Sequence, residues 1–399
     1  MVVTISGNLL GVRQNLVCNE DEFSWSTSVP ENSWLLGFEN RKKDIQVVAD
    51  SLGIDLVNFR NTVYAKSLQQ IVGNNLDEVP WMHVLPSRVF KSMLQKLLDQ
   101  LRMIINDESN GYYTGQLLSN REILMRLERP AIDCQFLNEV LKKETGNPKH
   151  SDVLKFKPDE DGFARKTTYS QSSTITGRVT VKSGPGILTL KKEYRKILKS
   201  RFKNGKIVQV DISSLEPRIA LSLCESEIPS DIYSFIAKEI FANEITRDQA
   251  KIATLSCIYG TSAWSLSKRL PDDVNAGLIL KSLREYFGIN VMEKRLQDSF
   301  KSSKFIENIY GRRISSSDAL VNHYLQSSGV DASFNVFHKI LDLLDSKNAT
   351  FAPIYVIHDA IVIDVHPDSF KEIENLENIK FAVDNINCKF PVKVEIIKE

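Results

Sequence analysis

The sequence has few cysteines and no apolar run of membrane-spanning length. Its five cysteines lie far apart and never form a Cys-x-x-Cys pair, which argues against both a disulfide framework and a cysteine zinc site. The N-terminus also lacks the layout of a signal peptide. We therefore expect a protein without membrane contact. It would act in the cytoplasm of a bacterial cell, or in the host cytoplasm if a phage or mobile element encodes it.

The chain also lacks a large net charge, internal repeats and low-complexity tracts. Its 399 residues are 42% hydrophobic and 25% charged with a formal net charge of +1, as in a globular protein of two or three packed units. The charge is unevenly distributed, because between residues 165 and 206 Glu193 is the one acid among twelve bases. Such a run can be a solvated face, or it can contact a phosphate backbone. The bases are Arg165, Lys166, Arg178, Lys182, Lys191, Lys192, Arg195, Lys196, Lys199, Arg201, Lys203 and Lys206.

Three regions follow from the hydrophobic pattern. Residues 1–80 give weak signals, with short β-like runs at 2–5 and 34–38, and their role is unknown. Residues 81–165 are helical, and apolar residues at helical spacing predict a long helix over 87–106, with shorter ones over 121–127 and 135–144. Residues 166–399 alternate strands and helices. This order predicts an α+β fold with an antiparallel sheet, and helices over about 230–300.

Two aspartates follow apolar strands in the third region. Asp211 ends the strand of the segment KIVQVD, and Asp359 lies where the apolar runs of PIYVIHDAIVIDV meet. Carboxylates at adjacent strand ends can share two divalent cations, which stabilise both the attacking and the leaving oxygen of an in-line phosphoryl displacement. The pair predicts a phosphoryl-transfer site.

A helix between the two aspartates carries two cations. Thr246 and Gln249 have the spacing of a capping box at its start. From there Arg247, Lys251, Leu255 and Tyr259 recur every four residues and form a stripe about 18 Å long. We expect the cations of this stripe to face a triphosphate and its other two side chains to face a base or sugar.

An ordered set of motifs resembles the polymerase domain of A-family DNA polymerases, the group typified by bacterial DNA polymerase I. The segments VDISSLEPRIA and VIHDAIVIDV resemble the family's motifs A and C, and RDQAKIATLSCIYG is similar to its motif B. YSQSSTITGRV resembles the Tyr-x-Gln and Thr-Gly-Arg motif, while YGRRI and VNHYLQSSGVDA resemble later family segments. The matches run in the family's order from Tyr169 to the C-terminus. The resemblance implies a right-hand fold with an antiparallel palm, helical fingers and a helical thumb. We expect no proofreading exonuclease domain, because residues 1–80 are short for a nuclease and contain no Asp-x-Glu pair that would start a nuclease site.

The resemblance also implies a role for each matching residue. Asp211 and Asp359 would hold two Mg²⁺ ions, for which Mn²⁺ can substitute, and Lys251 would join them in catalysis by protonating the departing pyrophosphate. Contacts to the incoming dNTP would come from Arg247, Lys251, Leu255, Tyr259 and Glu216, the last two rejecting a 2′-hydroxyl. Contacts to the primer-template DNA would come from Arg178, Arg313, Gln326, His358 and Asn322.

Three departures from the family pattern bear on activity. Leu255 replaces an aromatic residue of motif B, which predicts altered handling of sugar-modified nucleotides and looser fidelity. Ala360 replaces the acidic residue after the motif C aspartate. The interval between Asp133 and Thr176 is short for a thumb, and the segment Glu128–Asp133 resembles the family's preceding motif loosely. We therefore expect a reduced thumb and low processivity, with a partner of unknown identity able to dock on residues 1–80.

Two alternatives remain beside a DNA-templated DNA polymerase. A single-subunit RNA polymerase shares a similar palm and motif B, but the bulky acid Glu216 at the sugar gate opposes ribonucleotides. A DNA-binding module that has lost catalysis would account for Ala360 and Leu255. It would not account for the retention of Asp211 and Asp359 together with the cationic helix.

Overall fold

The computed structural model describes residues 2–19, 22–38, 41, 43–52, 54–59, 62–73, 79–106, 108–147, 150–271 and 274–398. The chain divides into two compact units, residues 1–125 and 126–399. Within the described ranges, none of the helices combines the length and apolar character that a bilayer span requires.

The N-terminal unit contains a small sheet and several helices. Its strands have the order β3-β2-β1-β4, in which β1 pairs antiparallel with β2 and parallel with β4. The predicted β-like runs and the long helix at 87–106 are confirmed, and the apolar side of that helix joins the core of the unit. The elements are β1 Val2–Ile5, α1 Gly7–Leu10, β2 Asn15–Asn19, β3 Glu22–Ser26, β4 Trp34–Leu36, α2 Ile45–Ser51, α3 Val63–Val72, α4 Trp81–Val84, α5 Ser87–Asn106 and α6 Glu108–Arg126.

The helix predicted over 121–127 is the last part of the longer α6. Gly115 in its interior lowers helix propensity, so the sequence underestimates the length of the helix. The predicted helix at 135–144 is α7, which Asp133 caps by accepting hydrogen bonds from the amides of Gln135 and Phe136.

The second unit begins with short elements and then enters the strand that carries the first aspartate. These elements are β5 Ala131–Ile132, α7 Cys134–Lys143, α8 His150–Leu154, β6 Thr168–Ser170, β7 Thr180–Ser183, β8 Leu198–Lys199 and β9 Lys206–Ile212. A mainly helical stretch follows, with α9 Leu215–Leu223, α10 Ile232–Phe235, a π-helical turn Ile236–Ile240, α11 Arg247–Ile258, α12 Ala263–Ser267, α13 Ala276–Tyr286 and α14 Ile289–Ser303. The chain ends with β10 Ile306–Glu307, β11 Arg313–Ile314, α15 Leu320–Ser346, β12 Phe351–Ile357, β13 Ala360–Val365, α16 Phe370–Glu374, β14 Lys380–Val383 and β15 Ile386–Lys398.

The central sheet of this unit confirms the predicted antiparallel arrangement. Within the described residues, its strands have the order β12-β13-β9-β15-β14, and every neighbouring pair is antiparallel. Side chains alternate along β9, so Val208, Val210 and Ile212 are buried on one face. Gln209 and Asp211 therefore share the opposite face. These two polar residues of β9 therefore lie on the face of the sheet that the helices α11 and α15 can reach.

Candidate active site

The two predicted aspartates lie side by side, at adjacent ends of neighbouring strands of the central sheet. Asp211 is the penultimate residue of β9, and Asp359 belongs to the two-residue turn between β12 and β13. Ala360 lies opposite Asp211 in the register, and the Ile212 amide donates to the Asp359 carbonyl over 3.1 Å. Both aspartates line one cavity of about 580 Å³. The fold therefore brings together the two carboxylates that the sequence singles out.

Both carboxyl groups resist ionisation. Burial, followed by the negative charges of Asp211 and Glu216, raises the pKa of Asp359 to about 7. Burial also raises the pKa of Asp211, against the opposing charge of Lys251. Two neighbouring carboxylates that are hard to ionise together gain stability from a bound cation, because its charge offsets their repulsion.

The helix α11 presents its predicted stripe to the same cavity. The Thr246 side chain accepts from the Gln249 amide over 3.3 Å, and the Gln249 side chain accepts from the Thr246 amide over 2.7 Å, which confirms the capping box. The cavity is lined by all four residues of the stripe, Arg247, Lys251, Leu255 and Tyr259. One edge of this helix therefore combines two cations with an apolar and an aromatic side chain.

The buried ring of Tyr233 lies beneath the two cations of α11. Its centroid is 5.6 Å from the Arg247 guanidinium and 6.0 Å from the Lys251 ammonium, within cation–π range. Arg247 Nε also donates to Asp231 over 2.8 Å. Burial opposes ionisation of Asp231, but the hydrogen bonds from Arg247 and Ser234 outweigh it and lower the pKa of that carboxyl to about 2. Asp231 therefore stays charged and holds Arg247 at the wall of the cavity.

Glu216 also lines the cavity, where two donors hold its carboxylate. It lies in the first turn of α9 and accepts from Arg178 Nη2 over 3.3 Å and from the Tyr259 hydroxyl over 3.4 Å. Burial and then the charge of Glu216 raise the pKa of Tyr259 to about 12, so its hydroxyl remains a donor at neutral pH. Leu255 lies one turn before Tyr259 and lines the same cavity without adding a polar group.

Arg312 fixes the loop that carries Arg178 through hydrogen bonds to the loop backbone. The buried Arg312 donates to the carbonyls of Gln171 and Thr174 over 3.2 and 3.4 Å. Gly177 has φ +75°, and a Cβ there would lie 2.8 Å from the guanidinium carbon of Arg312. A larger residue at 177 would therefore clash and strain the backbone. Arg312 and Gly177 together set the direction in which Arg178 enters the cavity.

Four predicted DNA contacts remain. Two of them line the cavity, Asn322 lies near it, and Arg313 lies apart from it. Gln326 of α15 and His358 of the β12–β13 turn line it. Burial, and the charges of Arg178 and Arg195, lower the pKa of His358, which keeps its imidazole neutral at pH 7. Asn322 lies one turn before Gln326 on the same face of α15, outside the cavity wall. Its Oδ1 is buried and has no hydrogen-bond partner among the described residues.

Arg313 lies apart from the cavity, on the short strand β11. Its guanidinium stands over the Phe305 ring, 4.8 Å from the centroid, and its Nε lies 3.5 Å from Glu307. The role of Arg313 toward DNA stays a prediction.

The cavity also contains polar residues that the motifs did not assign to the site, although Lys192 belongs to the basic run described above. Among them are Tyr233 and four residues on or beside the central sheet, Lys192, Gln209, Lys393 and Glu395. On β15, Lys393 pairs with Asp211 and Glu395 pairs with Gln209, so these four strand residues share one face. The alternating pattern of FPVKVEII predicts a strand with Lys393 and Glu395 on one face. Their nearness to Asp211, however, depends on how that strand pairs in the sheet.

The pair Asp211 and Asp359 suits a divalent cation that is shared with a substrate. Among the residues that the structure describes, no group of three or more Asp, Glu, His or Cys side chains could hold a metal ion. Mg²⁺ usually takes one or two protein carboxylates and completes its shell with water and phosphate oxygens. The raised pKa of both carboxyls fits this use, because a bound cation would offset the cost of ionising them.

Comparison with known proteins identifies the family and the fold of this chain. A family model described as DNA polymerase family A matches residues 91–398, which is most of the chain. Among solved structures, the chain is similar to the POL domain of Pol1 from M. smegmatis in complex with DNA primer-template and dNTP. The TM-score is 0.65 at 13% identity over 99% of this chain and 94% of that chain, which shows a shared fold. No curated protein matches the sequence. The chain therefore belongs to DNA polymerase family A and is a DNA-directed DNA polymerase.

Proposed function

We propose that this polymerase adds deoxynucleotides to the 3′ end of a DNA primer by two-metal-ion nucleotidyl transfer. The observation that carries the proposal is the cavity in which Asp211 and Asp359 face the cations Arg247 and Lys251 of α11. Paired carboxylates suit the attacking 3′-hydroxyl and the α-phosphate, and paired cations suit the leaving pyrophosphate. The similar M. smegmatis domain is in complex with primer-template DNA and dNTP, which supports the same substrates here.

Asp211 and Asp359 would hold the two Mg²⁺ ions, or Mn²⁺ ions in their place. When bound, such ions activate the 3′-hydroxyl and neutralise the charge that develops on the α-phosphate and the pyrophosphate. Arg247, steadied by Asp231 over 2.8 Å, would bind the triphosphate. Lys251 would bind it one turn closer to Asp211 and protonate the departing pyrophosphate.

Glu216 would select deoxyribose over ribose. Its carboxylate is held by Arg178 and Tyr259, so it has little freedom to move away from a 2′-hydroxyl. A 2′-hydroxyl in this space would meet the side chains of Glu216 and Tyr259. This arrangement favours the DNA polymerase over the RNA polymerase alternative.

The primer terminus and the nascent base pair would contact Arg178, Gln326 and His358, all of which line the cavity. Minor-groove acceptors are similar for all Watson–Crick pairs, so such contacts check the shape of a pair rather than its sequence. Asn322 and Arg313 would contact the DNA further from the reacting atoms. The neutral imidazole of His358 suits a hydrogen bond to a nucleotide without adding charge beside the metals.

We further propose that this chain does not proofread and is weakly processive. Residues 1–80 contain no Asp-x-Glu pair of the kind that begins a nuclease site. The proposed functional regions are residues 1–80, a thumb-like region at 81–165, and palm and fingers at 166–399 with the fingers at about 230–300. The short interval between Asp133 and Thr176 is the reason to expect a weak grip on the duplex. The site of action would be the bacterial or host cytoplasm.

The proposal is tested by extension of a labelled primer on a DNA template with Mg²⁺ and either dNTPs or NTPs. Wild type is compared with Asp359→Ala, and with Asp298→Ala as a control on the exposed surface of α14. We expect template-directed growth with dNTPs, little growth with NTPs, no growth by Asp359→Ala and wild-type growth by the control. DNA binding without extension by the wild type would instead favour the binding module that has lost catalysis.

A further inference from the structure

A second cavity lies in the unit of residues 126–399, separate from the active-site cavity. Its volume is about 430 Å³, which is within the range of small-molecule sites in proteins. Val153, Phe156 and Leu190 form its apolar wall, and all three belong to a buried core cluster. Among the described residues, the two cavities share no lining residue. The second cavity can therefore enclose a small molecule of its own.

A buried carboxylate forms part of the wall of this cavity. Glu144 Oε1 accepts from Lys191 Nζ over 2.9 Å and from the Tyr194 hydroxyl over 2.7 Å. Burial of a carboxylate is costly unless a cation accompanies it, so the position beside Glu144 selects positive charge. Asp152 adds a second acid to the wall, and its partner Lys155 lies outside the lining. The lining therefore favours a cationic ligand.

The ammonium of Lys191 marks the place that the charge of such a ligand would take. It lies 4.8 Å from the centroid of the Tyr194 ring, within cation–π range, while it donates to Glu144. Proteins recognise organic ammonium ions by an aromatic face of this kind. The Lys191 side chain is 43% exposed, so it can extend into solvent when another ammonium takes its place. The exchange keeps a cation beside Glu144.

The segment that carries Lys191 also borders the active site. Lys191 precedes a short 3₁₀ helix, which has about three residues per turn. Lys191 and Tyr194 therefore share the side that faces the second cavity, whereas Lys192 and Arg195 share another side. Lys192 lines the active-site cavity, and Arg195 Nη1 donates over 2.9 Å to Gln209, which lines it too. A ligand that displaces Lys191 would thus act on the segment that supplies two groups at the active site.

We propose that the second cavity binds a small organic ammonium ion, an apolar body that carries one protonated amine. The amine would replace Lys191 on Glu144 and lie against the Tyr194 ring, and the apolar body would pack against the buried core side chains. Occupancy of the cavity would change the affinity of the active site for primer-template DNA. This coupling rests on the proposed function, whereas the binding of the amine does not.

Binding is tested on the full chain without DNA, by ligand-observed NMR titration with phenethylammonium and with the neutral phenethyl alcohol. We expect wild type to bind the ammonium about tenfold more tightly than the alcohol. Glu144→Gln should weaken binding of the ammonium about tenfold, because the side chain loses its charge. Lys191→Met should strengthen it about tenfold, because the ligand then has no competing lysine. Lys196→Met, a change to an exposed lysine of the same segment, should leave it unchanged.

The opposite signs of the two variants separate this site from a general loss of structure. An unfolded variant would only weaken binding, so Lys191→Met, which changes a partly exposed side chain, keeps the test decisive even if Glu144→Gln fails to fold. Equal affinity for the two probes, or equal affinity of wild type and Lys191→Met for phenethylammonium, would overturn the inference.

Coupling is tested by measuring the affinity for primer-template DNA with and without saturating phenethylammonium. By linkage, DNA must change the affinity for the amine by the same factor by which the amine changes the affinity for DNA. We expect a reciprocal change of about fivefold in wild type, and none with the alcohol or in Glu144→Gln. Unchanged affinities in wild type would overturn the coupling.

These measurements fail independently of the proposed function. If wild type binds phenethylammonium as expected but extends no primer, the proposed function is wrong and the amine site stands. If wild type extends primers but does not bind phenethylammonium, the amine site is wrong and the proposed function stands.

Discussion

Replacement of Asp359 by asparagine is expected to stabilise the metal-free protein at alkaline pH. The pKa of Asp359 is raised from 3.8 to about 7, so the folded state binds this proton more tightly than the unfolded chain does. The stability that the proton contributes is fully present below about pH 4, and it is lost as the pH rises through 7. Asparagine has nearly the same shape and carries no charge, so the variant avoids this loss.

The size of this stabilisation follows from the shift in the pKa of Asp359. About three pKa units correspond to about 4 kcal/mol, at 1.36 kcal/mol per unit. Local relaxation around an ionised carboxylate reduces this value, so we expect a gain of about 2–4 kcal/mol at pH 8. For a unit of this size, that gain raises the Tm by roughly 5–10 °C.

The assay is thermal unfolding followed by circular dichroism in EDTA at pH 5 and pH 8. Asp359→Asn should exceed wild type in Tm at pH 8 and nearly equal it at pH 5, while the exposed control Asp298→Asn should follow wild type at both. A variant that loses stability equally at both pH values would refute the reasoning, because it would mean that the native carboxylate has favourable partners.

Three further outcomes are expected. Because a divalent cation competes with the Asp359 proton, calorimetry should find Mn²⁺ affinity rising several-fold between pH 6 and 7 and levelling above pH 8; constant affinity would argue against metal binding here. Glu216→Ala should reduce discrimination against NTPs by about 10–100-fold in kcat/KM, and an unchanged ratio would exclude Glu216 as the sugar gate. Leu255→Phe should restore a ring beside the nucleotide and increase rejection of mismatched dNTPs about fivefold, from about 1 kcal/mol of aromatic contact; equal misincorporation would contradict this.

The parts of the site that sequence predicted best are governed by local patterns. The apolar strand before Asp211, the hairpin around Asp359 and the capping box at Thr246 each depend on residues within a few positions of one another. Helical periodicity then places Lys251 and Tyr259 on one edge of α11. Local patterns of this kind persist in the folded protein because tertiary packing agrees with them.

The parts that sequence missed depend on pairing between distant segments. Lys393 and Glu395 reach the site because β15 pairs with β9 in a register set by the whole sheet. Arg312 and Arg313 are adjacent in sequence, but packing buries Arg312 under the loop of Arg178 and leaves Arg313 beside Phe305. Likewise, no local sequence pattern predicts the short strand β14 or the parallel pairing of β1 with β4.

The central claim is that Asp211 and Asp359 form the catalytic centre. The most direct test is to measure single-turnover incorporation of one correct dNTP by wild type and by Asp359→Asn. The affinity of each protein for DNA is measured in parallel. We expect the variant to bind primer-template DNA within about twofold of wild type. Incorporation should fall by about 10³-fold or more, as expected for a loss of about 4 kcal/mol of transition-state stabilisation. Incorporation at the wild-type rate by Asp359→Asn would contradict the account.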